Sequence, residues 1–144
     1  MLADYRTTSL SVGSHPLELL RPHLPSETAS SLDLAGLPHG ERVAVAGLVI
    51  ARQRPATANG VVFMLLEDEH GQVNLIVPPP VYDRYRAAVR GEPMLLARGR
   101  FEVNGRNRNV VCDELVSLAP LVRQAANVTE IRSSLPSAHS FGRG

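Results

Sequence analysis

Hydrophobic residues in the middle of the chain follow the pattern of β-strands separated by turns. Between about residues 42 and 118, five apolar or alternating runs are divided by short segments rich in Gly, Asn and Pro. We therefore expect strands at 42–54, 61–67, 72–77, 94–103 and 109–118. Between the third and fourth runs, VYDRYRAAVRG has apolar residues at helical spacing and predicts a short amphipathic helix.

This order of elements predicts a small closed barrel. Five strands with one short helix between the third and fourth are typical of the OB-fold, a five-stranded Greek-key barrel, so the fold class is mainly β. The first run, VAVAGLVIA, is apolar on both faces, and Gly47 lies in its middle. We expect a long first strand that bends there and pairs on both sides of the barrel. Asn59-Gly60 and the segment NGRN at 104–107 indicate the turns after the first and fourth strands.

Alternation along the strands predicts which side chains face outward. In the third strand, Val73, Leu75 and Val77 should point inward, which leaves Asn74 and Ile76 on the outer face. In the fourth strand, the same argument places Leu96, Arg98 and Arg100 together on the outside, opposite the side chains that face the core.

Residues 1–41 and 120–144 lie outside the expected barrel domain, 42–119. The segment SHPLELLRPHL predicts one short helix at 16–21, with Ser14 as its N-cap, followed by a connector rich in Ser, Pro and Gly. An amphipathic start before a connector suggests a neighbouring domain, so we expect this chain to be cut from something larger. After Pro120, a weak helical stretch leads into Ser, Pro, Gly and His, where we expect partial disorder.

Composition limits how the chain interacts with its surroundings. The 144 residues allow one domain with tails, and the net charge is +1, with all fifteen cationic side chains being Arg. A charge this small does not fit a protein that coats nucleic acid through bulk charge, so any affinity must come from clustered arginines. The single Cys112 excludes an internal disulfide and predicts a buried thiol. With no apolar run of about 18 residues and no secretory signal, we expect a cytoplasmic location and no membrane contact.

Residue types that carry catalysis do not form a recognisable set in this sequence. The five histidines and the single cysteine lack metal-site spacing, and no glycine-rich phosphate loop is present. The acidic groups Glu67-Asp68-Glu69 and Asp113-Glu114 fall at a turn and in the last strand, where a turn-stabilising, solvated role is expected. We therefore expect no catalytic residue, no metal and no cofactor.

A binding site for single-stranded nucleic acid is the function that the residues favour. Such sites combine cationic side chains that follow the phosphates with aromatic rings that stack on bases, and in an OB-fold the first and last loops border one face. Phe63 could instead belong to the core, and the arginines could be ordinary solvated charges. The candidate nucleic-acid-binding residues are Arg52, Arg54, Phe63, Asn74, Arg106 and Arg108.

The second and third strands carry a motif that resembles known OB-fold proteins. Phe63, Leu66, Asp68 and Gly71 have the spacing F-x-x-L-x-D-x-x-G, with Asn74 three residues further on. This is similar to the strand-turn-strand of anticodon-binding and polymerase-associated barrels. The resemblance implies that Phe63 stacks on a base and that Asn74 faces the nucleic acid.

A wider match resembles one family of DNA polymerases. The segments DYRTTSLSVGSHPLELLR, VAGLVIARQRPATANGVVFMLLEDEHGQVNLIV and VYDRYR resemble the C-terminal part of error-prone, damage-inducible bacterial polymerase α subunits of the C family. The resemblance covers roughly residues 4–118. It implies a non-catalytic module that binds single-stranded template during translesion synthesis, weakly, and that contacts other subunits of a mutagenesis complex. The polymerase's metal-binding aspartates lie in a region that this chain does not contain.

Two other functions remain open from the sequence. The barrel could be a protein-docking module that recruits the polymerase to its partners through an apolar rim including Ile76, Pro78 and Tyr82. Mild charge, few aromatic residues and Pro78, where family members often have an aromatic residue, favour this alternative. An anticodon-type RNA binder fits the F-x-x-L-x-D spacing but not the flanking RQRP and HPLELLR segments.

Overall fold

The computed structural model describes residues 15–133 and contains the expected strands. Its six β-strands are β1 (Thr28–Ala29), β2 (Arg42–Gln53), β3 (Val62–Glu67), β4 (Gln72–Val77), β5 (Met94–Asn104) and β6 (Asn107–Ser117). Its five α-helices are α1 (Pro16–Leu20), α2 (Ser31–Leu34), α3 (Pro79–Arg84), α4 (Arg86–Gly91) and α5 (Ala119–Ser133). Short 3₁₀ turns occupy Arg21–His23 and Ala56–Ala58.

Five of these strands close a barrel. The strand order β2-β3-β4-β6-β5 returns to β2 through a further β2–β5 pairing, and β4–β6 is the parallel pair among the five. β2 pairs with β5 from Arg42 to Leu48 and with β3 from Leu48 to Gln53. The predicted OB-fold barrel with a long first strand is confirmed. At Gly47 a Cβ atom would lie 2.8 Å from the carbonyl oxygen of Glu67, so only glycine allows the strands to approach this closely.

The barrel core consists of the inward-facing residues of every strand. Val73, Leu75 and Val77 of β4 are buried while Asn74 is exposed, as the alternation predicted. Phe101 lies fully buried among them. Cys112 is also buried, as expected, and burial in this apolar environment raises the pKa of its thiol to about 12.

The segment between β4 and β5 forms two short helices rather than one. α3 and α4 meet at Tyr85, whose φ of −116° and ψ of 32° are not helical. Val81 and Tyr85 pack against the core and Val89 is buried, as the helical spacing predicted. Tyr82 is buried as well, which the spacing did not predict.

Residues 15–41 pack on the outside of the barrel. α1 was predicted, but its N-cap is His15, whose Nδ1 accepts a hydrogen bond from the Leu17 backbone N–H at 3.0 Å. The connector contains β1 and α2, neither of which the sequence predicted. β1 pairs in parallel with β2 at Ala44 and Val45, the half of β2 that β3 does not reach.

A second hydrophobic cluster lies between the barrel and these outer segments. It explains why β2 is apolar on both faces, since Ala44 and Ala46 point away from the barrel core and into this cluster. Leu96 was expected on the outside with Arg98 and Arg100, but it is buried here because outer helices cover it. The members are Leu17, Leu24, Ala44, Ala46, Leu96 and Leu118.

Some expectations fall outside the described residues. The segment DYRTTSLSVG and Ser14 lie before residue 15, and the stretch where disorder was expected lies largely after residue 133. Within residues 15–133, no group of three or more His, Cys, Asp or Glu side chains is arranged to hold a metal ion. Among the helices of the same range, none is long and apolar enough to cross a membrane.

Candidate nucleic-acid interface

The outer face of β3 and β4 carries an exposed aromatic ring. Phe63 is 38% exposed, because alternation along β3 buries Val62 and Met64 and turns Phe63 outward. Its cross-strand partner on β4 is Ile76, and the next outward pair is Leu65 with Asn74. We call the outward residues Phe63, Leu65, Asn74 and Ile76 the β3–β4 face.

Neighbouring strands widen this face. On one side Phe63 pairs with Gln53 of β2, and on the other Ile76 pairs with the half-buried Val111 of β6. Asn109 of β6 lies beside Asn74. The result is an apolar centre with amides at its edges, a surface that offers stacking and hydrogen bonding together.

The β5–β6 hairpin lies at one end of this face. Its turn is Gly105-Arg106, with Gly105 at φ +62°, so the hairpin predicted from NGRN is confirmed. Arg106 and Arg108 are exposed, and neither has an ion pair among the side chains that the structure describes, residues 15–126 apart from 58. The Asn74 amide donates to the Arg108 carbonyl oxygen at 3.5 Å, which links the hairpin to the β3–β4 face.

The β2–β3 loop lies at the other end. It leads into Val62, which pairs with Val77 at the end of β4, whereas the hairpin lies near the start of β4. Asn59 and Gly60 both have positive φ, as the predicted turn requires. The Arg54 guanidinium lies over the ring of Tyr82, 4.6 Å from its centroid. Candidate arginines therefore border both ends of the β3–β4 face: Arg106 and Arg108 at the hairpin, and Arg54 at the β2–β3 loop.

Arg52 is directed elsewhere. It pairs with the buried Met64, so its side chain leaves β2 on the side opposite to Phe63, at the end of the barrel. Its Nε donates to the Val89 carbonyl oxygen and its Nη2 to that of Glu92, each at 2.6 Å. The structure therefore does not bring Arg52 together with the β3–β4 face but places it at the C-terminus of α4.

The residues predicted for protein docking are also spread apart. Ile76 is half-buried on the β3–β4 face, and Pro78 is half-buried at the start of α3. Tyr82 is only 7% exposed, since its ring belongs to the barrel core and the guanidinium groups of Arg54 and Arg86 lie over it. Little of the tyrosine ring is accessible to a partner protein.

Charge is distributed unevenly around the barrel. On the β2–β5 side the arginines are neutralised by carboxylates: Arg42 pairs with Asp113, and Arg98 pairs with Glu27 at 3.0 Å and Glu114 at 3.4 Å. The arginines that border the β3–β4 face have no such partners among the described residues. Positive potential therefore concentrates at the two ends of this face despite the small net charge.

The acidic turn between β3 and β4 is structural. Asp68 accepts hydrogen bonds from the Ser31 backbone at 2.6 Å and hydroxyl at 2.7 Å, and from the backbone N–H groups of His70 and Gly71. The predicted turn-stabilising role is confirmed, but the expectation that this carboxylate is solvated was wrong, since Asp68 is 4% exposed. These hydrogen bonds explain the Asp of the F-x-x-L-x-D-x-x-G spacing, and at its Gly a Cβ atom would lie only 3.3 Å from the Ser31 hydroxyl oxygen.

Sequence reasoning missed four residues at this face: Gln53, Leu65, Asn109 and Val111. Leu65 could have been found from Phe63, since residues two apart on a strand share a face. Asn109 and Val111 reach the face through the parallel pairing of β4 with β6, which requires the register as well as the fold.

The fold and its exposed face together define an OB-fold nucleic-acid-binding domain. Residues 43–118 match the family described as "OB-fold nucleic acid binding domain", and the chain belongs to this family.

The chain is also similar to a segment of error-prone DNA polymerases. It is 52% identical over 118 residues to the error-prone DNA polymerase of Anaeromyxobacter dehalogenans strain 2CP-C, which covers 81% of this chain and 10% of that polymerase. It is 44% identical over 121 residues to the corresponding polymerase of Pseudomonas fluorescens strain Pf-5, covering 83% of this chain and 12% of the polymerase. The chain therefore spans about a tenth of the length of these relatives, and the resemblance inferred from the sequence is confirmed.

Solved structures share the fold at low sequence identity. Asparaginyl-tRNA synthetase from Pyrococcus horikoshii superposes with a TM-score of 0.53 at 20% identity, covering 65% of this chain and 24% of the synthetase. An OBody bound to hen egg-white lysozyme gives a TM-score of 0.51 at 19% identity, covering 65% and 93% of the respective chains. Both similarities support the OB-fold and no more than that.

Proposed function

We propose that this chain is a non-catalytic module of an error-prone translesion DNA polymerase, and that it binds the single-stranded template during lesion bypass. The observation that carries the proposal is the exposed ring of Phe63, which lies between two ends marked by arginines that have no carboxylate partner among the described side chains. In this proposal, nucleotide transfer belongs to other parts of the polymerase.

In this proposal, base stacking and phosphate contacts both contribute to the affinity. A base stacked on Phe63 contributes about 1–3 kcal/mol, and Leu65 and Ile76 supply apolar surface beside it. Arg106, Arg108 and Arg54 contact phosphates as the strand enters and leaves the face. Because β4 has six residues, the face is about 20 Å long, which suits the lower part of the range of about 4–16 nucleotides bound per OB-fold.

The amide of Asn74 adds a polar contact to this surface. It lies two residues from Ile76 on the same face, and its Nδ2 already donates to the Arg108 carbonyl oxygen, so in this proposal its oxygen accepts a hydrogen bond from a base. Stacking on Phe63 tolerates any base, which suits a module that must accept any template sequence.

Fluorescence anisotropy with a labelled single strand of about 15 nucleotides tests the proposal, since that length fills one OB-fold. Phe63→Ala should weaken binding about 5- to 150-fold, the range that follows from loss of one stacked base at about 1–3 kcal/mol. Arg106→Ala with Arg108→Ala should weaken it and lower the salt dependence by about 0.7 per lost phosphate contact. Val116→Ala is the matched control: this β6 side chain is about as exposed as Phe63, 40% against 38%, and lies away from the β3–β4 face.

Absence of binding at low salt by the folded chain would exclude this function. If the chain binds an RNA strand of the same sequence more tightly than the DNA strand, an anticodon-type RNA binder is favoured instead.

The apolar strip of Phe63, Ile76 and Val111 also suits protein docking, the alternative function. That alternative predicts association with another subunit of the mutagenesis complex that depends on Ile76 and Pro78 and is insensitive to salt.

A further inference from the structure

Two guanidinium groups lie against one buried ring beside the β2–β3 loop. The Arg54 Cζ atom is 4.6 Å and the Arg86 Cζ atom 5.5 Å from the centroid of Tyr82. Arg54 comes from the loop that borders the β3–β4 face, whereas Arg86 begins α4. The tyrosine therefore holds together charges from two elements that would otherwise repel each other.

The Tyr82 ring holds the Arg54 guanidinium from one side. The Arg54 Nη2 also lies near Gly60, where a Cβ atom would be 3.9 Å away. An arginine held this way loses little conformational entropy when it binds an anion, so its affinity is higher than that of a free surface arginine.

The charge continues along α4. Arg90 lies four residues after Arg86, which places both on one face of the helix. Arg90 is exposed and has no ion pair among the side chains described between residues 15 and 126. Arg86 has one carboxylate partner, Asp83, at 3.2 Å; both side chains are more than half exposed, so this pair is weak and a phosphate competes with it readily. We call Arg54, Arg86 and Arg90 the arginine track.

The arginine track adjoins the β3–β4 face. Gln53 pairs with Phe63 on the outer surface, and Arg54 is the next residue of the chain. The partner of Val62 is Val77, and α3 starts two residues later at Pro79, so the helices begin at the same end of the face as the β2–β3 loop. A strand that passes Phe63 toward this end meets Arg54 first, then Arg86 and Arg90.

We propose that the arginine track binds the phosphate backbone of the template beyond the β3–β4 face, extending the binding path over α4. This inference rests on the proposed function and adds a direction to it. Strands short enough to lie on the face alone reach Arg54 but not Arg86 and Arg90, whereas longer strands contact all three.

Two lengths of labelled oligo(dT), about 5 and about 15 nucleotides, separate the two parts of the path within the range of one OB-fold. On the full chain, Arg86→Gln with Arg90→Gln should weaken binding of the longer strand about tenfold at low salt and lower its salt slope by about 1.4, which is two phosphate contacts. The shorter strand should bind as before. Unfolding curves of each variant verify that the fold is kept.

Arg42→Gln with Arg100→Gln is the matched control, because it removes the same charge from an adjacent, exposed pair that already has carboxylate partners. This control should leave the difference in affinity between the two lengths unchanged.

If the track variant binds the longer strand as tightly as the unmodified chain does, or if the control weakens that binding equally, the track is overturned while the face stands. If Phe63→Ala has no effect on either length but the track variant does, the proposed face fails and the track remains. If the unmodified chain binds neither length, the arginine track and the β3–β4 face are both overturned.

Discussion

Gly99 is the residue at which the barrel is least tolerant of a side chain. A Cβ atom there would lie 2.0 Å from the carbonyl oxygen of Val111, far inside contact distance. The cause is the irregularity of β5–β6 pairing between Arg98 and Gly99, which brings the two backbones together. At Gly91, the last residue of α4, nothing lies within 4 Å of the same position.

We predict that Gly99→Ala lowers the free energy of unfolding by about 3 kcal/mol, the upper end of the range for overpacking. Gly91→Ala should leave it unchanged or raise it by up to about 1 kcal/mol, because alanine restricts the unfolded chain. Urea unfolding followed by circular dichroism measures both. Similar midpoints for the two variants would show that the β5–β6 pairing can shift to admit a methyl group.

At the scale of elements, the helix α4 is held by Arg52, a residue that the sequence suggested as a nucleic-acid contact. Arg52 donates to two carbonyl oxygens at the C-terminus of α4, where cationic side chains satisfy free acceptors and interact well with the helix dipole. Arg52→Ala should therefore lower the free energy of unfolding by about 1–2 kcal/mol. Arg106→Ala, at an exposed position with no ion pair among the described residues, should not change it. Equal stability of the two variants would return Arg52 to the set of candidate phosphate contacts.

The β3–β4 turn is held by an ion pair whose strength depends on pH. Arg21 donates to Glu69 through Nε at 2.8 Å and Nη2 at 2.7 Å. Burial of the Glu69 carboxylate would raise its pKa, but the hydrogen bonds and the charge of Arg21 outweigh this, and the pKa lies below its usual value. A lowered pKa in the folded state stabilises the protein above the unfolded pKa of about 4.3, and this stabilisation is lost as the pH falls through the folded pKa.

Arg21→Met should therefore lower the free energy of unfolding by about 2 kcal/mol near pH 7, because it leaves a partly buried carboxylate without its partner. The difference from the unmodified protein should shrink as the pH falls below about 4. Arg42→Met is the control: its pair with Asp113 is more than half exposed on both sides, so a smaller loss is expected. Urea unfolding at several pH values gives both, and a pH-independent difference would exclude Glu69 as its source.

Strand alternation is the part of this molecule that the sequence determines most directly. It correctly turned Asn74 outward and Val73, Leu75 and Val77 inward, since a period of two leaves one register compatible with a buried face. It could not show that Arg52 points away from Phe63, because β2 carries an irregularity between Val49 and Ala51 that changes which residues face outward.

At the scale of the whole molecule, the sequence placed the barrel correctly but not what covers it. Leu96 belongs to an outer face by alternation, yet it is buried because α1 and the start of α5 pack there. Contacts between segments distant in sequence, such as Ser31 with Asp68, leave no local pattern. The expected domain boundary at residue 42 thus rested on composition. Composition indicates where turns and connectors lie, but it does not indicate which distant segments pack together.

The packing of residues 15–37 predicts that the barrel is not stable without them. A chain beginning at Pro38 would expose the second hydrophobic cluster, open the β2 edge at Ala44, and remove Ser31 from Asp68. Burial of Leu17, Leu20 and Leu24 alone contributes about 1.5–3 kcal/mol each, which together approaches the total stability of a small domain, about 5–15 kcal/mol. We expect the truncated chain to be largely unfolded at 25 °C, with a broad unfolding transition and increased binding of a hydrophobic dye.

Two substitutions in the intact chain separate packing from a simple effect of chain length. Leu17 is fully buried in the second cluster, whereas Leu19, on the same helix, is 62% exposed. Leu17→Ala should lower the free energy of unfolding by about 2–5 kcal/mol, and Leu19→Ala should change it little. If both variants match the unmodified chain and the truncated chain unfolds at the same urea concentration, the barrel is autonomous from residue 42, as the composition suggested. If Leu17→Ala alone is destabilised, the outer segment is part of the folding unit of the barrel.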